Sequence, residues 1–316
     1  MNNTESGYPT VDVVIPNYNY GQYLLECAAS VLTQTGVDVR LLIIDNASHD
    51  LSADICRTIA AGDQRVEVIL RTSNLGPHAS FNEGIDWARS EYFLILCADD
   101  LLVDGALSRA VCALEQSPDV HLAHGSIENF SGNDYPKPVD LPKRGGWVIQ
   151  SGNEFIERAC MHAYNPVAGP TALVRTSVQK KVGYYKTNLQ HTDDLEMWLR
   201  FATYGGVAST NAVQACARVH NLNRSASVAG IVEWNCEFEA AFRTFFESDG
   251  AALPNASALF ELAQDCLAKR AYWSAFSNLL RREKGSASLM AFALRRHPSM
   301  ILFPPIDYLL QRRNRH

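Results

Sequence analysis

The stretch EYFLILCADDLL, residues 91–102, joins a continuous apolar run to two adjacent acids. Such a run, bounded by polar residues, is typical of a strand that is buried on both faces. We therefore predict a strand over residues 92–97. Asp99 and Asp100 would follow its carboxyl end, where parallel sheets bind their ligands.

The chain before and after this stretch alternates between apolar runs and segments of helical periodicity. The runs predict strands at residues 11–15, 39–44, 66–70 and 120–123, and the periodic segments predict helices at residues 23–33, 51–60, 79–88 and 106–115. Strands separated by helices of about ten residues indicate βαβ units and a mostly parallel sheet.

The Asp99-Asp100 pair has two interpretations from the residues alone. Adjacent carboxylates repel unless a cation neutralises them, and a hard divalent cation takes oxygen ligands. The pair is therefore a candidate Mg²⁺ or Mn²⁺ site. An aspartate after a strand can equally cap the helix that follows.

Beyond residue 130 the periodicity is mixed. Residues 131–147 are rich in Gly, Pro and charge and predict a loop; helices are expected at 154–160 and 195–204, strands at 171–174 and 212–219, and mainly helix from residue 228. Asp193 and Asp194 open the helix at 195–204. They either favour its dipole or supply a carboxylate that accepts a proton.

Composition narrows the class of protein. The 316 residues carry a formal charge of −6, which argues against nucleic-acid binding. Residues 281–316 hold eight Lys and Arg and two acids, a charge of +6 that leaves −12 for the rest. This basic tail suits an anionic membrane surface, a helical cap with a solvated basic face, or an oligomer contact.

The eight cysteines form no CxxC pair, and Cys27, Cys56, Cys97, Cys112 and Cys216 lie in apolar runs. We interpret them as reduced core thiols of a cytoplasmic protein. The polar N-terminus shows no signal peptide, and no apolar stretch is long enough for a spanning helix.

Six motifs in order resemble those of the family 2 glycosyltransferases, and together they cover residues 10–227. They are Val13–Asn19, Ile43–Asp50, Asn74-Leu75-Gly76 with Phe81–Ile85, Leu96–Asp100, His191–Arg200 and Arg218-Val219-His220. The resemblance implies the α/β GT-A fold over residues 1–227. That fold is a mostly parallel, Rossmann-like sheet flanked by helices, here with a C-terminal helical appendage over residues 228–316. The nucleotide-binding half would be residues 10–130 and the acceptor half residues 131–227.

The resemblance also implies roles for single residues. Pro16, Tyr18, Asp45, Asn74 and Asp99 would bind the nucleotide, with Tyr18 stacking on the base and Asp45 accepting a hydrogen bond from a uracil or thymine imide. The metal would be held by Asp100, with His220 as a further ligand, although a single histidine also suits a structural role. The general base would be Asp194, supported by Asp193 and Arg218.

The chain departs from the family pattern at two positions. Cys97 stands where the first acid of the DxDD pattern is usual, and Asp193 stands where a glutamate usually precedes the catalytic aspartate. The first change affects which residues bind the metal. The second affects which of Asp193 and Asp194 is the base.

The implied reaction is an inverting transfer from a nucleoside-diphosphate sugar, UDP- or dTDP-linked, to a saccharide or lipid-linked saccharide. It would serve bacterial surface polysaccharide or glycan assembly, at the inner face of the plasma membrane if the tail binds lipid. A non-catalytic nucleotide-sugar binder and a sugar nucleotidyltransferase are the alternatives. The second is disfavoured because no Gly-rich basic loop follows the first strand. The absence of GxGxxG and GxxxxGK[ST] motifs argues against dinucleotide and P-loop enzymes.

Overall fold

The computed structural model describes residues 7–132, 146–221, 223, 228 and 230–313. The chain divides into two compact units. The first comprises Met1–Gly152, Val167–Thr187 and Tyr204–Asn221, and the second comprises Asn153–Pro166, Asn188–Thr203 and Leu222–His316. The predicted loop at 131–147 and the end of the basic tail at 314–316 lie largely or wholly outside the described residues. The domain boundary at residue 227 stays a prediction.

The described strands all belong to the first unit and form one sheet in the order β3-β2-β1-β4-β8-β6-β9-β5, with β7 paired to β9. Their bounds are β1 Thr10–Asn17, β2 Asp38–Asp45, β3 Val66–Leu70, β4 Tyr92–Ile95, β5 Leu101–Leu102, β6 Val120–Phe130, β7 Trp147–Gln150, β8 Leu173–Arg175 and β9 Gly206–Arg218.

The helices flank the sheet in the first unit and make up most of the second. Their bounds are α1 Gly21–Leu32, α2 Ser52–Gly62, α3 Pro77–Trp87, α4 Ala106–Glu115, α5 Gly152–His162, α6 Thr176–Val182, α7 Asp193–Tyr204, α8 Ile231–Phe246, α9 Ala256–Arg281, α10 Ser286–Arg296 and α11 Ile306–Arg313. The predicted α/β class and the C-terminal helices are confirmed.

Strands β3, β2, β1 and β4 pair in parallel, as the βαβ pattern predicts. The rest of the sheet is mixed, because β8 pairs antiparallel with both β4 and β6. Strand β8 has only three residues and carries no periodicity from which its direction could be predicted. Strand β9 pairs in parallel with β6 and antiparallel with β5 and β7.

The core of the first unit is built on β1 and β2, whose successive apolar residues are buried on both faces. Helix α3 packs so closely on β1 that a Cβ at Gly84 would lie 2.8 Å from Val14 Cγ1. The glycine of that helix motif is therefore a packing requirement. Asp12 is fully buried in β1, where its carboxylate accepts hydrogen bonds from the backbone and hydroxyl of Ser90 and from the backbone of Arg89.

The second unit contains a buried ion pair within α7. The Arg200 guanidinium donates to both carboxylate oxygens of Glu196 at 2.8–3.0 Å, and both side chains are almost completely buried. Among the described residues, no helix is both long enough and apolar enough to cross a lipid bilayer.

Candidate functional site

The predicted site residues of the first unit lie at or just beyond the ends of β1, β2, β3, β4 and β9. Strand β2 continues the chain on one side of β1, and β4 lies on its other side, so the strand order reverses at β1. Ligands of open α/β sheets bind at such a switch point, beyond the carboxyl ends of the strands. Asn17 of β1 is in register with Asp45 of β2, which places both residues on this edge.

Asp45 is buried and held by its neighbours. Its Oδ1 accepts hydrogen bonds from Asn17 Nδ2 at 2.7 Å and from Ser48 Oγ at 2.6 Å, and its Oδ2 accepts the Ser48 backbone N–H at 3.1 Å. The carboxylate is fixed in orientation, and its lone pairs leave room for one further donor. Asn17 and Ser48 lie within the motifs at residues 13–19 and 43–50, but no role was predicted for either.

The segment that follows β1 exposes the aromatic ring of Tyr18 to solvent. Tyr18 is 40% exposed and approaches His49 edge to face, with 6.5 Å between ring centroids. Pro16 is half-buried at the strand end. Asn19 has a positive φ of 59° and joins the two loops, since its N–H donates to Ser48 Oγ at 2.8 Å. An exposed ring on a fixed loop is suited to stacking on a planar ligand.

Asn74 does not project alone. Its Oδ1 accepts from Asn46 Nδ2 at 2.6 Å and from the Gly76 backbone N–H at 2.8 Å. Asn46 Oδ1 in turn accepts from Arg71 Nη1 at 2.9 Å. This network ties the loop after β3 to the loop after β2. Gly76 takes a φ of 81° that favours glycine, and α3 begins directly after it.

Asp99 and Asp100 lie in a turn between β4 and β5. The Asp100 N–H donates to the Cys97 carbonyl at 3.0 Å, and α4 begins only at Ala106 after Gly105. The helix-cap interpretation of the pair is therefore wrong, because a strand separates it from the next helix.

Both carboxyls of this pair are shifted toward the protonated form. Burial raises the pKa of Asp99, which the nearby His220 and Arg218 partly oppose. Burial, and then the charge of Asp99, raise the pKa of Asp100 to about 8. Two neighbouring buried carboxylates resist ionising together because their negative charges repel, and a bound cation would offset that repulsion.

Arg218, at the end of β9, connects the pair to the surrounding chain. Its backbone N–H donates to Asp100 Oδ1 at 3.1 Å and its Nε donates to the Asp99 carbonyl at 3.3 Å. Its guanidinium lies between the rings of Tyr23 and Phe130, 4.3 and 4.4 Å from their centroids. Nη2 donates to Glu26 Oε2 at 2.9 Å. Arg218 thus holds the Asp99-Asp100 turn in place through hydrogen bonds to both residues.

His220 contacts one carboxylate of the pair, that of Asp99. Its Nε2 lies 3.2 Å from Asp99 Oδ2, and its ring stacks on Tyr23 and meets Tyr20 edge to face. Burial, followed by the charge of Asp99, raises the pKa of Tyr20. The two tyrosines precede and begin α1, and apolar spacing did not mark them as part of the site.

All eight cysteines are reduced, but Cys97 and Cys112, two of the five expected in the core, are exposed. Cys112 lies on the outer face of α4. Cys97 is exposed because β4 ends at Ile95 and the chain turns there toward the acids. Its Sγ, one Asp99 oxygen and one Asp100 oxygen lie within 4.8 Å of one another.

Asp193 and Asp194 begin α7 and belong to the second unit. Asp193 is buried. Asp194 Oδ2 accepts a hydrogen bond from Asn165 Nδ2 at 2.7 Å, and its Oδ1 accepts the Leu195 N–H at 2.7 Å. The start of the helix is fixed by Thr192, whose hydroxyl donates to the Glu237 carbonyl of α8 at 2.9 Å.

Comparison with known proteins identifies relatives of this chain. A family model described as "Glycosyl transferase family 2" matches residues 12–183. Glycosyltransferase GlyG of Streptococcus pneumoniae is 30% identical over 124 residues, which are 39% of this chain and 41% of that protein. An uncharacterized glycosyltransferase of Haemophilus influenzae is 25% identical over 70% of this chain and 68% of its own length.

Solved structures show the same fold. S. aureus TarS 1–349 in complex with UDP-GlcNAc has a TM-score of 0.64 at 15% identity, covering 95% of this chain and 82% of that one. Mannosyltransferase PcManGT from Pyrobaculum calidifontis, in complex with GDP-Man and Mn²⁺, has a TM-score of 0.57 at 16% identity, covering 95% and 89%. The predicted GT-A fold is confirmed by these neighbours.

Proposed function

This chain belongs to glycosyl transferase family 2, and we propose that it is an inverting glycosyltransferase that moves a sugar from a nucleoside diphosphate to an acceptor hydroxyl. The acceptor would be a saccharide or a lipid-linked saccharide in bacterial surface polysaccharide or glycan assembly. One observation carries the proposal above the others. The carboxylates of Asp99 and Asp100 lie together at the switch point of the sheet, His220 contacts Asp99, and the strands that lead to Tyr18 and Asp45 are the next ones in the sheet.

The loops after β1 and β2 would bind the nucleotide. Tyr18 offers an exposed ring for stacking, with Pro16 beside it, and Asp45 offers a fixed carboxylate for the imide N–H of uracil or thymine. Asn74 would hold the neighbouring loop in place through Asn46. A UDP- or dTDP-linked donor fits a carboxylate acceptor at the base.

The residues around the turn fit a divalent cation, Mn²⁺ or Mg²⁺. Carboxylate oxygens of Asp99 and Asp100 lie together in a buried setting that disfavours two uncompensated charges, and His220 adds a nitrogen donor. Asp100 and His220 would hold the ion, with Asp99 turned also toward the ribose. The ion, when bound, neutralises charge on the departing diphosphate.

Asp194 is proposed as the general base that takes the proton of the acceptor hydroxyl as its oxygen attacks the anomeric carbon. One carboxylate suffices for this displacement. Asn165 holds one oxygen of Asp194 and the Leu195 N–H holds the other, so the carboxylate has a defined orientation. Asp193, buried beside it, would support the helix start.

The test compares Asp194→Asn with Asp193→Asn. Asp194→Asn keeps the shape and the contact with Asn165 but removes the proton acceptor. We expect loss of labelled-sugar transfer by at least about 100-fold, the lower range for a general base, with unchanged donor binding by calorimetry. Near-wild-type transfer by Asp194→Asn, or equal losses in both variants, would exclude Asp194 as the base.

The donor and the metal are tested without knowledge of the acceptor. A thermal-shift panel of nucleotide sugars with Mn²⁺ should give its largest shift with a uridine or thymidine donor, and EDTA should abolish it. A protein that binds the nucleotide sugar but releases no free nucleotide, even with metal and with extracts that contain the acceptor, would instead be a non-catalytic binder.

We also propose a peripheral contact between the second unit and an anionic membrane. An apolar patch on α9 and on the chain around residue 303 is open to solvent, with Leu280, Leu302 and Phe303 exposed by 83, 77 and 75%. Trp273 Nε1 donates to the Pro305 carbonyl at 2.9 Å, which holds the segment at 301–306 beside α9. Exposed arginines at 281, 282, 295 and 296 add positive charge.

Apolar side chains beside basic ones are suited to the headgroup region of anionic bilayers. The double variant Leu302→Glu, Phe303→Glu should lose pelleting with vesicles that contain phosphatidylglycerol. The control Leu51→Glu changes a similarly exposed leucine, 70% exposed, of the first unit and should pellet normally. Equal pelleting of wild type and double variant would refute the contact.

A further inference from the structure

The turn after β4 brings a thiol to the carboxylate pair. The hydrogen bond from the Asp100 N–H to the Cys97 carbonyl folds the four residues from 97 to 100 into a tight turn. Cys97 Sγ and one oxygen from each aspartate then lie within 4.8 Å of one another. Asp99 Oδ2 is also 3.2 Å from His220 Nε2. A thiol and two carboxylates thus surround one small space, and His220 adjoins it through Asp99.

A second cysteine, Cys27, lies close to the same turn, but its sulfur contacts the backbone of the turn. Cys27 is fully buried, its Sγ donates to the Cys97 carbonyl at 3.4 Å, and burial raises its pKa far above the ordinary thiol value. Its sulfur is therefore occupied by the backbone of the turn. Cys97, in contrast, is exposed.

The mixture of donors has a consequence for metal choice. Mg²⁺ requires oxygen ligands in near-octahedral geometry and rarely accepts sulfur. Thiolate and imidazole donors favour borderline and softer ions, among them Zn²⁺ and Co²⁺, and affinity at nitrogen and sulfur sites rises from Mn²⁺ through Co²⁺. An aspartate in place of Cys97 would give a set of harder donors.

We propose that Cys97 is a metal ligand and that its sulfur makes this site prefer thiophilic divalent ions over Mg²⁺. The inference rests on the proposed donor site and specifies its metal. On binding, a sulfur–metal bond forms, the S–H bond breaks, and the thiol proton passes to solvent. The ligands would be Cys97, Asp99 and Asp100, with His220, in contact with Asp99, as a further donor.

Cobalt reports on this directly, because thiolate-bound Co²⁺ has an intense near-ultraviolet charge-transfer absorption that oxygen and nitrogen ligands do not give. We expect wild-type protein, titrated with Co²⁺, to develop this band at one ion per chain. Cys97→Ser should lose the band. Loss of a residue that only supports a metal ligand weakens metal binding by about 10- to 100-fold, so loss of the ligand itself should weaken Co²⁺ binding by at least that much. Cys112→Ser removes the other exposed thiol of the first unit and should behave as wild type.

Competition calorimetry supplies the second readout. Cys97→Asp should shift the ratio of Co²⁺ to Mg²⁺ affinity toward Mg²⁺, because it replaces the sulfur by a hard oxygen donor. A band that persists in Cys97→Ser, or an affinity ratio unchanged in both variants, would overturn the inference. UDP binding with Mn²⁺ by wild type and variants is measured in parallel. If UDP binds and the band is absent, the role of Cys97 fails and the proposed function stands. If UDP fails to bind with any ion, the proposed donor site itself fails.

Discussion

Replacing Arg218 with lysine is predicted to destabilise the first unit by about 2–4 kcal/mol while keeping the positive charge. The guanidinium lies 4.3 Å from the ring centroid of Tyr23 and 4.4 Å from that of Phe130. A desolvated cation–π contact contributes about 2 kcal/mol, and a planar group between two rings gains from both faces. An ammonium group keeps only part of this interaction.

The hydrogen bonds add to the loss. Arg218 donates through three nitrogens, to the Asp99 carbonyl, to Glu26 and to the Gly132 carbonyl. A single ammonium cannot reach all three acceptors, so about two hydrogen bonds are lost at about 1 kcal/mol each. Glu26 is partly exposed and recovers a water partner, whereas the Asp99 carbonyl belongs to the buried turn.

Scanning calorimetry measures the effect, with Arg57→Lys as the control. At about 2–4 °C per kcal/mol for a unit of this size, Arg218→Lys should lower its melting temperature by roughly 4–16 °C. Arg57 forms an exposed pair with Asp54, and its variant should stay within about 0.5 kcal/mol of wild type. Arg218→Lys that melts with the control would refute the reasoning. Weakened Mn²⁺-dependent nucleotide binding should accompany the destabilisation, because the Asp99 carbonyl would no longer be held.

Three further predictions follow from burial and packing. Glu196→Gln removes the carboxylate that pairs with the buried Arg200 guanidinium at 2.8 Å and should cost about 3–5 kcal/mol in urea unfolding of the second unit; a cost below about 1 kcal/mol would contradict it. The pKa of Asp100 is raised to about 8 in the folded protein, so folding favours the protonated carboxyl. The stability that this proton binding contributes is fully present below the ordinary carboxyl pKa and is lost as the pH rises through about 8. The melting temperature of the metal-free protein should therefore fall over that range, less so in Asp100→Asn, and parallel profiles would refute this. Gly125→Ala should cost about 1–3 kcal/mol by overpacking, because its Cβ would lie 2.3 Å from a side-chain carbon and 2.9 Å from a carbonyl oxygen, whereas Gly146→Ala meets nothing within 4 Å and should be neutral.

The sequence predicted the parts of the fold that local periodicity encodes. The runs at 11–15, 39–44 and 66–70 lie within β1, β2 and β3, because strands buried on both faces are apolar throughout. Strand β8 was located within two residues, but its antiparallel pairing with β4 was not predicted. Pairing direction depends on where the chain returns to the sheet, and three residues carry no record of that path.

The candidate site was predicted as a set of residues and not as a set of contacts. Asp45, Asp99 and Asp100 follow strands, and parallel strands bring their carboxyl ends to one edge. Asn17 and Ser48 lie within the quoted motifs and Tyr23 within a predicted helix, but their roles were missed because each role depends on tertiary register. Cys97 was assigned to the core because an apolar run gives no sign of the residue at which its strand ends.

The segment from Asn17 to Tyr23 connects the two ends of the proposed donor site. Asn17 holds Asp45, where the base would bind, and Tyr23 stacks on both His220 and the Arg218 guanidinium, where the metal would bind. Between them Asn19 has a left-handed φ that most residues avoid, and its backbone and side chain bond to the loop after β2. The conformation of these seven residues therefore sets the position of the Asp45 carboxylate together with that of the aromatic ring that packs on His220. A change that releases Asn19 should weaken base recognition and metal binding in concert, which separates its effect from loss of either ligand group alone.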